Sequence, residues 1–367
     1  MKKKRYRIHK RFYVFVALLV ILIAALCVHF LGGGNLSGKN KAASTGKSQK
    51  TQSETVKKGG SNETAEKTES AEPPAVSGIK TMPASYENTA PAKQQGSLHE
   101  ITYTVKINGV TYKRPALVYL PAGYTSSKKY NVFYLMHGYG GTYHTYLGWT
   151  TGPRPFKNIL DHMIADGKIK PTIVVGVEYN SVYGNYYYGQ LDTVSKEIVQ
   201  NLAPYVESKY STYASSTSEE GLTASRAHRA IGGFSMGGCA TWRALKNYAD
   251  VFQYYLPMSM PMYYYGSSGG YEQAQSQSSA KEIAAGVKKK AAGKKVYVFA
   301  ATGGADMMNQ GTEMQAKDLS KQSGFTWVDP TSDFSKGNIT FCSWQGHTHS
   351  YMQTYPYLYN GLMRFFG

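Results

Sequence analysis

Cysteine is scarce in this chain: there are three in 367 residues, and one of them, Cys27, falls inside an apolar run near the amino terminus. That scarcity excludes a disulfide-stapled scaffold and any zinc site built from several thiolates. Cys239 and Cys342 could still pair if the fold brings them together, or remain as buried free thiols. Large apolar residues are nearly missing from 32–97, which is rich in Ser, Thr, Lys, Gly, Ala, Glu and Gln. Such a stretch buries too little surface to offset its ordering entropy, so it is expected to be a disordered linker. After residue 98 there is no long basic run except Lys288-Lys289-Lys290, which reads as a solvated helix end. Of the formal net charge of +18, residues 1–98 hold +10, from 16 Lys/Arg and 6 Asp/Glu. The excess is therefore concentrated where attraction to anionic lipid explains it, and nucleic acid is not an expected partner.

What is present at the amino end is a basic flank, 1–11, followed by 20 apolar residues, 12–31. That length crosses a bilayer as a helix. A cleaved secretory signal is the alternative, but its apolar region is usually shorter and ends in small residues. Here the run ends Leu26-Cys27-Val28-His29-Phe30-Leu31. A single-pass membrane anchor is expected, with the basic flank inside and the rest of the chain outside the cell. A lipid-modified Cys27 is disfavoured by the bulky Leu26 before it.

Residues 98–367 read as one folded domain. Ile101, Tyr103, Val105 and Ile107 alternate with polar residues and lead into Asn108-Gly109, a hairpin signal, with strand resuming over 110–112 and 116–120. The continuous apolar run at 130–136 predicts a strand buried on both faces, and 172–177, 229–232, 255–258, 296–300 and 339–342 read as further strands. Helical spacing between them, as in Val194, Ile198, Leu202 and Val206, predicts covering helices. The fold class is α/β, a mostly parallel sheet with an antiparallel N-terminal hairpin and helices on both faces. In such sheets sites form beyond the carboxyl ends of the strands.

Gly233-Phe234-Ser235-Met236-Gly237 fits G-x-S-x-G, the strand-to-helix elbow that presents a nucleophilic serine at the rim of a sheet. Five residues are a weak pattern alone, but the apolar Ala230-Ile231 before them and the helix-compatible 239–248 after them supply the required context. A serine nucleophile needs a base, an acid that orients the base, and donors for the oxyanion. In the chain order serine, acid, histidine, only His347 and His349 follow Ser235, and both stand as candidates. A His-x-His zinc pair is the rival use, although no third ligand is evident. Among the intervening acids only Asp306 sits in a turn directly after a buried strand, and its competing role is a helix N-cap. The backbone N–H groups of Met236 and of Tyr139, in His137-Gly138-Tyr139-Gly140-Gly141, are the expected oxyanion donors, with His137 read as structural. The clusters Tyr186-Tyr187-Tyr188 and Tyr263-Tyr264-Tyr265 could stack on a substrate ring or be plain surface loops.

Taken together, Tyr134-Leu135-Met136-His137-Gly138, the stretches 206–213, 224–229 and 232–238, 299–303 with Asp306, 331–337, and Gly346-His347-Thr348-His349 resemble the family 1 carbohydrate esterases. These are the feruloyl esterases and acetyl xylan esterases of the esterase D-like group. From about residue 97 onward the chain is most similar to the feruloyl esterase modules of clostridial cellulosomal xylanases. The resemblance implies an α/β-hydrolase fold, a triad of Ser235, Asp306 and His349 with His347 at the rim, and no metal or cofactor. It implies an ester-substituted polysaccharide as partner and hydrolysis of feruloyl esters of plant xylan through an acyl-enzyme. The alternatives it leaves are an acetyl esterase on another glycan and a non-catalytic glycan-binding protein on the same fold. Two departures bear on the acyl group. Tyr139 interrupts the glycine-rich stretch, and Ser350-Tyr351 stands where close relatives have a pair of tryptophans.

Overall fold

The computed structural model describes residues 72–107, 110–179, 191–263, 273–291 and 293–367. Eight strands form one sheet: β1 (Ser97–Ile107), β2 (Val110–Leu120), β3 (Asn131–Met136), β4 (Thr172–Val177), β5 (Arg229–Phe234), β6 (Tyr254–Met258), β7 (Tyr297–Gly303) and β8 (Ile339–Trp344). Their spatial order is β1-β2-β4-β3-β5-β6-β7-β8. β1 and β2 pair antiparallel with Ile107 opposite Val110, and β2 meets β4 antiparallel through Ala116 and Val177. The remaining neighbours pair parallel. The alternation in β1 has its physical counterpart, since Ile101, Tyr103 and Val105 are buried while Thr102 and Thr104 are exposed. β3, β4, β5 and β6 are buried on both faces, which is why their sequences are mainly apolar with no alternation of polar residues.

Two hydrophobic cores lie on the two faces of the sheet. One face carries a helix over 191–209, wound as π over Ile198–Leu202, together with α-helices Met236–Asn247, Gln273–Lys290 and Asn309–Ser320. The other carries Pro155–Ala165 and Tyr355–Phe366. Cys239 belongs to the first core and Cys342 to the second, so the sheet lies between them and both thiols are free and buried. The disulfide that the sequence left open is therefore not formed.

The helix Gln273–Lys290 has no counterpart among the apolar periods read from the sequence. Its buried positions are Ser276, Ser279, Ala280, Ile283 and Val287, a face too small and polar to give a clear 3.6-residue signal.

The expected linker 32–97 is corrected at its carboxyl end. Residues 72–96 are packed along the face formed by Pro155–Ala165 and Tyr355–Phe366. Gly78 N–H donates to Thr331 O (2.9 Å), and Lys80 exchanges two hydrogen bonds with the Asn360 side chain, at 2.7 and 3.0 Å. Arg364 donates to Gly78 O (3.2 Å), Asn158 to Glu87 O (2.9 Å), and Gly96 N–H to Asp161 (2.8 Å). Tyr86, 5% exposed, stacks on His162 and donates its hydroxyl to Asp166. Polar composition misled here because backbone and amide hydrogen bonds fix this strap more than apolar burial does. The basic flank, the expected anchor at 12–31 and the linker up to residue 71 lie outside the described residues. Among the described residues no helix is long and apolar enough to cross a membrane.

At the amino end of β5, Arg229 is locked to Glu207 by two hydrogen bonds of 2.6 and 2.7 Å. Both side chains are buried, and Arg229 also donates to Leu222 O, Val251 O and Ser225 Oγ. Tyr134 and Thr212 donate to the same carboxylate. Every partner is satisfied, which is the condition for a buried charge pair to be tolerated. The motifs at 206–213 and 224–229 thus belong to the foundation under the elbow strand, not to the site above it.

Candidate active site

β5 runs out at Phe234, and Ser235 takes φ 56° and ψ −117° before the helix Met236–Asn247 begins. A non-glycine residue in that region costs about 1–3 kcal/mol, and the surroundings must hold it. They do so through a hydrogen bond from Ser235 N–H to Met258 O (2.9 Å) on the next strand, and through close glycine packing. A Cβ on Gly233 would lie 2.7 Å from the Gly237 backbone, and one on Gly237 would lie 2.7 Å from Met136 O. No side chain fits at either position, so the glycines of the elbow are steric requirements.

Asp306 follows β7 and His349 follows β8, so neighbouring strands deliver both toward the elbow. His349 Nδ1 lies 2.9 and 3.1 Å from the two oxygens of Asp306, and its Nε2 lies 3.0 Å from Ser235 Oγ. A carboxylate only accepts, so Nδ1 carries the proton; in the neutral ring Nε2 is then the acceptor for the serine O–H. The Asp306 side chain is fully buried and that of His349 is 22% exposed, leaving the imidazole open to the cleft. Asp306 also accepts from Met308 N–H (2.8 Å), but Met308 itself is the N-cap of the helix Asn309–Ser320 and no side chain caps that helix, so the alternative role of Asp306 as N-cap is not realised. The ring of Phe234 packs against His349 at 4.6 Å.

His347 points elsewhere. Its Nδ1 lies 3.1 Å from both Gln353 O and Tyr357 Oη, and its carbonyl accepts Ala305 N–H (2.9 Å). It fastens the loop carrying His349 to the loop carrying Asp306. Among the described residues no three His, Cys, Asp or Glu side chains cluster as a metal site.

Met236 is the first residue of its helix, so its N–H has no acceptor inside the helix and points out at the positive end of the helix dipole. The peptide joining Gly138 to Tyr139 lies against the nucleophile, since a Cβ on Gly138 would sit 3.2 Å from Ser235 Cβ. His137 Nδ1 is 2.7 Å from Gly138 O, and its ring is buried, stacked on Tyr179 at 4.2 Å. The Tyr139 side chain is 70% exposed and stands on the rim.

Beside the serine opens a cleft of about 280 Å³, lined among others by Gly138, Tyr139, Thr145, Arg154, Phe234 and Tyr351. The Arg154 guanidinium lies 5.3 Å from the Trp149 ring and 5.6 Å from that of Tyr351, and donates to Thr145 O (2.6 Å) and Tyr351 Oη (3.2 Å). Sequence reasoning found Tyr351 but missed Arg154 and Trp149, which the short hairpin of Gly148–Trp149 and Gly152–Pro153 carries with no motif to mark it. Tyr263 is not in the cleft: it donates to Glu282 (2.8 Å) and lies under Arg243. The cluster at 186–188, with Tyr264 and Tyr265, lies outside the described residues.

The family model named Esterase matches residues 108–351. The chain is 39% identical over 291 residues to endo-1,4-beta-xylanase Y of Acetivibrio thermocellus, covering 78% of this chain and 24% of that protein. It is 29% identical over 170 residues to an endo-1,4-beta-xylanase/feruloyl esterase of Xylanibacter ruminicola, covering 44% and 21%. The chain thus spans about a quarter of the length of these curated relatives. Among solved structures, a serine-to-alanine mutant of the feruloyl esterase module from Clostridium thermocellum, complexed with sinapinate, matches at 38% identity with a TM-score of 0.67, covering 80% of this chain and 96% of that one. The chain belongs to the Esterase family, in keeping with the resemblance of its motifs to the family 1 carbohydrate esterases.

Proposed function

We propose that this esterase releases hydroxycinnamic acids, ferulate among them, from ester-substituted plant xylan by way of an acyl-enzyme. The observation that carries the reading is the unbroken line Ser235 Oγ, His349 Nε2, His349 Nδ1, Asp306, at 3.0 and 2.9 Å, next to a cleft of about 280 Å³ lined by Gly138 and Phe234. Support comes from 38% identity over nearly the whole of a feruloyl esterase module that was crystallised with sinapinate, a hydroxycinnamate. The cleft is also far larger than an acetyl group needs.

In this reading Ser235 Oγ attacks the ester carbonyl as His349 Nε2 takes its proton. The resulting oxyanion is met by the N–H groups of Met236 and Tyr139, donors of the kind that each contribute about 10²–10³ in turnover. Asp306 keeps Nδ1 protonated and stabilises the imidazolium. The C–O bond to the sugar breaks, and His349 returns its proton to the departing sugar oxygen. A water then gives a proton to His349 and attacks the acyl carbon, freeing the carboxylic acid and restoring Ser235.

The test is product analysis on methyl ferulate, methyl p-coumarate, feruloylated arabinoxylan and acetylated xylan. Release of ferulate and p-coumarate is expected. Release of acetate alone would make the protein an acetyl esterase. Failure of Ser235 to react with a fluorophosphonate probe would leave a non-catalytic glycan-binding protein.

We further propose that the catalytic body begins near Glu72, that 32–71 is a linker, and that 12–31 anchors the protein in the membrane with the esterase outside the cell. The basic flank and the 20-residue apolar run support this. Fractionated cells should hold the full-mass protein in the membrane pellet; a shortened, soluble product in the medium would indicate a cleaved signal.

A further inference from the structure

The described residues also form a groove that is not at Ser235. This groove, of about 710 Å³, opens at the amino ends of β7 and β8, beside Val296 and Asn338, whereas Asp306 and His349 follow the carboxyl ends of the same strands. The seven residues of β7 alone separate the two ends by roughly 20 Å. Five lysines line the groove, Lys281, Lys288, Lys294, Lys295 and Lys336, and no acidic residue does. All five are exposed. Among the described residues none has a carboxylate within ion-pair distance, because the nearby acids are engaged elsewhere: Glu282 with Lys246, Asp250 with Lys290, and Asp333 with Ser335. Asp333 feels Lys336 only as a smaller attraction beside its hydrogen bonds to Ser335.

The plain explanation of lysines here is compensation of the helix dipole at the end of Gln273–Lys290. It covers Lys288 but not Lys294, Lys295 or Lys336, which lie beyond the helix and on a different segment. Like charges gathered without counterions repel one another, and an anionic ligand removes that repulsion. The floor of the groove adds a second constraint. Ala284, Val287, Ala291 and Val296 give it small apolar surface, and Gln322 and Ser323 give it uncharged hydrogen-bonding groups at the edge. Methylene and methyl surface flanked by amides and hydroxyls suits the faces and hydroxyl groups of sugar rings, and the ammonium groups suit carboxylates.

We propose that this groove is a second binding site, for the carboxylate-bearing sugar units of an acidic polysaccharide. The proposal rests on the reading of the substrate as xylan, and it holds the enzyme on a uronate-substituted polymer at a point remote from the ester being cut.

The full-length protein, kept in mild detergent, is titrated onto immobilised glucuronoxylan and onto the same polymer after carboxyl reduction. Three forms are compared: the native chain, a groove variant (Lys288→Ser, Lys294→Ser, Lys336→Ser), and a control of equal charge change far from the groove (Lys113→Ser, Lys128→Ser, Lys129→Ser). Three exposed ion pairs together are worth about tenfold in affinity. The native chain and the control are expected to prefer the carboxylated polymer by about that factor, and the groove variant to lose the preference. Equal losses in groove variant and control, equal binding to the reduced polymer, or tighter binding to duplex DNA or anionic vesicles that the groove variant also abolishes would each overturn the proposal. Turnover of methyl ferulate, measured in parallel, is expected to be the same in all three forms. Its absence from the native chain would sink the esterase reading while leaving the binding comparison intact.

Discussion

His137 Nδ1 lies 2.7 Å from the carbonyl oxygen of Gly138, and that carbonyl belongs to the same peptide unit as the N–H of Tyr139. A carbonyl accepts, so Nδ1 must be the donor. Because the C=O and N–H of a trans peptide point in opposite directions, pinning the oxygen toward His137 turns the Tyr139 N–H the other way. The stack on Tyr179 holds the ring that does this, and the Tyr179 hydroxyl donates back to His137 O. His137 therefore orients a proposed oxyanion donor without touching the substrate.

His137→Phe keeps the stack and loses the donor. It is expected to lower kcat on methyl ferulate by up to about 10²-fold with KM little changed, the signature of a lost transition-state contact. His137→Asn, which can present an amide N–H near the position of Nδ1, should recover much of that loss. Equal kcat for His137→Phe and the native enzyme would show that the other donor to the Gly138 carbonyl, the Gly141 N–H at 3.1 Å, holds the peptide in place without His137.

The two histidines of Gly346-His347-Thr348-His349 are predicted to separate cleanly. His349→Ala and Ser235→Ala should each cut turnover by several orders of magnitude with little change in Tm, because members of such a unit fail together. His347→Ala removes bonds to Gln353 and Tyr357 that brace the loop and should cost far less in kcat while lowering Tm. The reverse ranking would assign the base to His347.

The strap at 72–96 gives a prediction opposite to the one its composition suggests. Truncation at residue 97 removes the hydrogen bonds of Gly78 with Thr331, Lys80 with Asn360 and Glu87 with Asn158, and the burial of Tyr86. Such a chain should be less stable or insoluble, whereas one starting at residue 72 should match the native enzyme in Tm and in methyl ferulate turnover. Identical melting of both truncated forms would return the strap to the linker.

The site was legible because its chemistry needs glycines framing a serine and a fixed order of acid and base, and both leave marks in the sequence. The sheet was legible because strands buried on two faces are mainly apolar. What stayed hidden was held by other means: the helix Gln273–Lys290 buries mainly Ser and Ala, and the strap is fixed by main-chain hydrogen bonds. Arg154 and Trp149 escaped notice because a cation between aromatic rings has no sequence spacing to recognise.

Glu207 is expected to be the acid on which stability, not catalysis, depends. Glu207→Gln leaves Arg229 buried with its charge uncompensated, at a cost of about 3–5 kcal/mol, or a fall in Tm of roughly 10 °C. Below its new Tm the variant should retain near-native kcat, since the pair sits at the end of β5 away from Ser235. A large kcat loss in folded protein would mean that the pair also sets the elbow geometry.

Tyr351 forms part of the cleft wall near Ser235, and the acyl group is expected to be selected there. Its ring lines the cleft, and Arg154 ties it to Thr145 and to Trp149, so ring and guanidinium act as one surface. If a phenolic ring lies against that surface, Tyr351→Ala removes an aromatic contact worth about 0.5–1.5 kcal/mol and should raise KM for methyl ferulate about three- to tenfold. Hydrolysis of p-nitrophenyl acetate should be unaffected, because an acetyl group is too short to reach the wall. Arg154→Ala should likewise raise KM for methyl ferulate and leave the acetate ester unaffected, by loosening Tyr351, and the double variant should lose no more than the larger single effect if the two act through one surface. A KM rise shared by the acetate ester would instead mean that Tyr351 supports the loop of His349, only two residues away, and that the acyl group is bound on another side of Ser235.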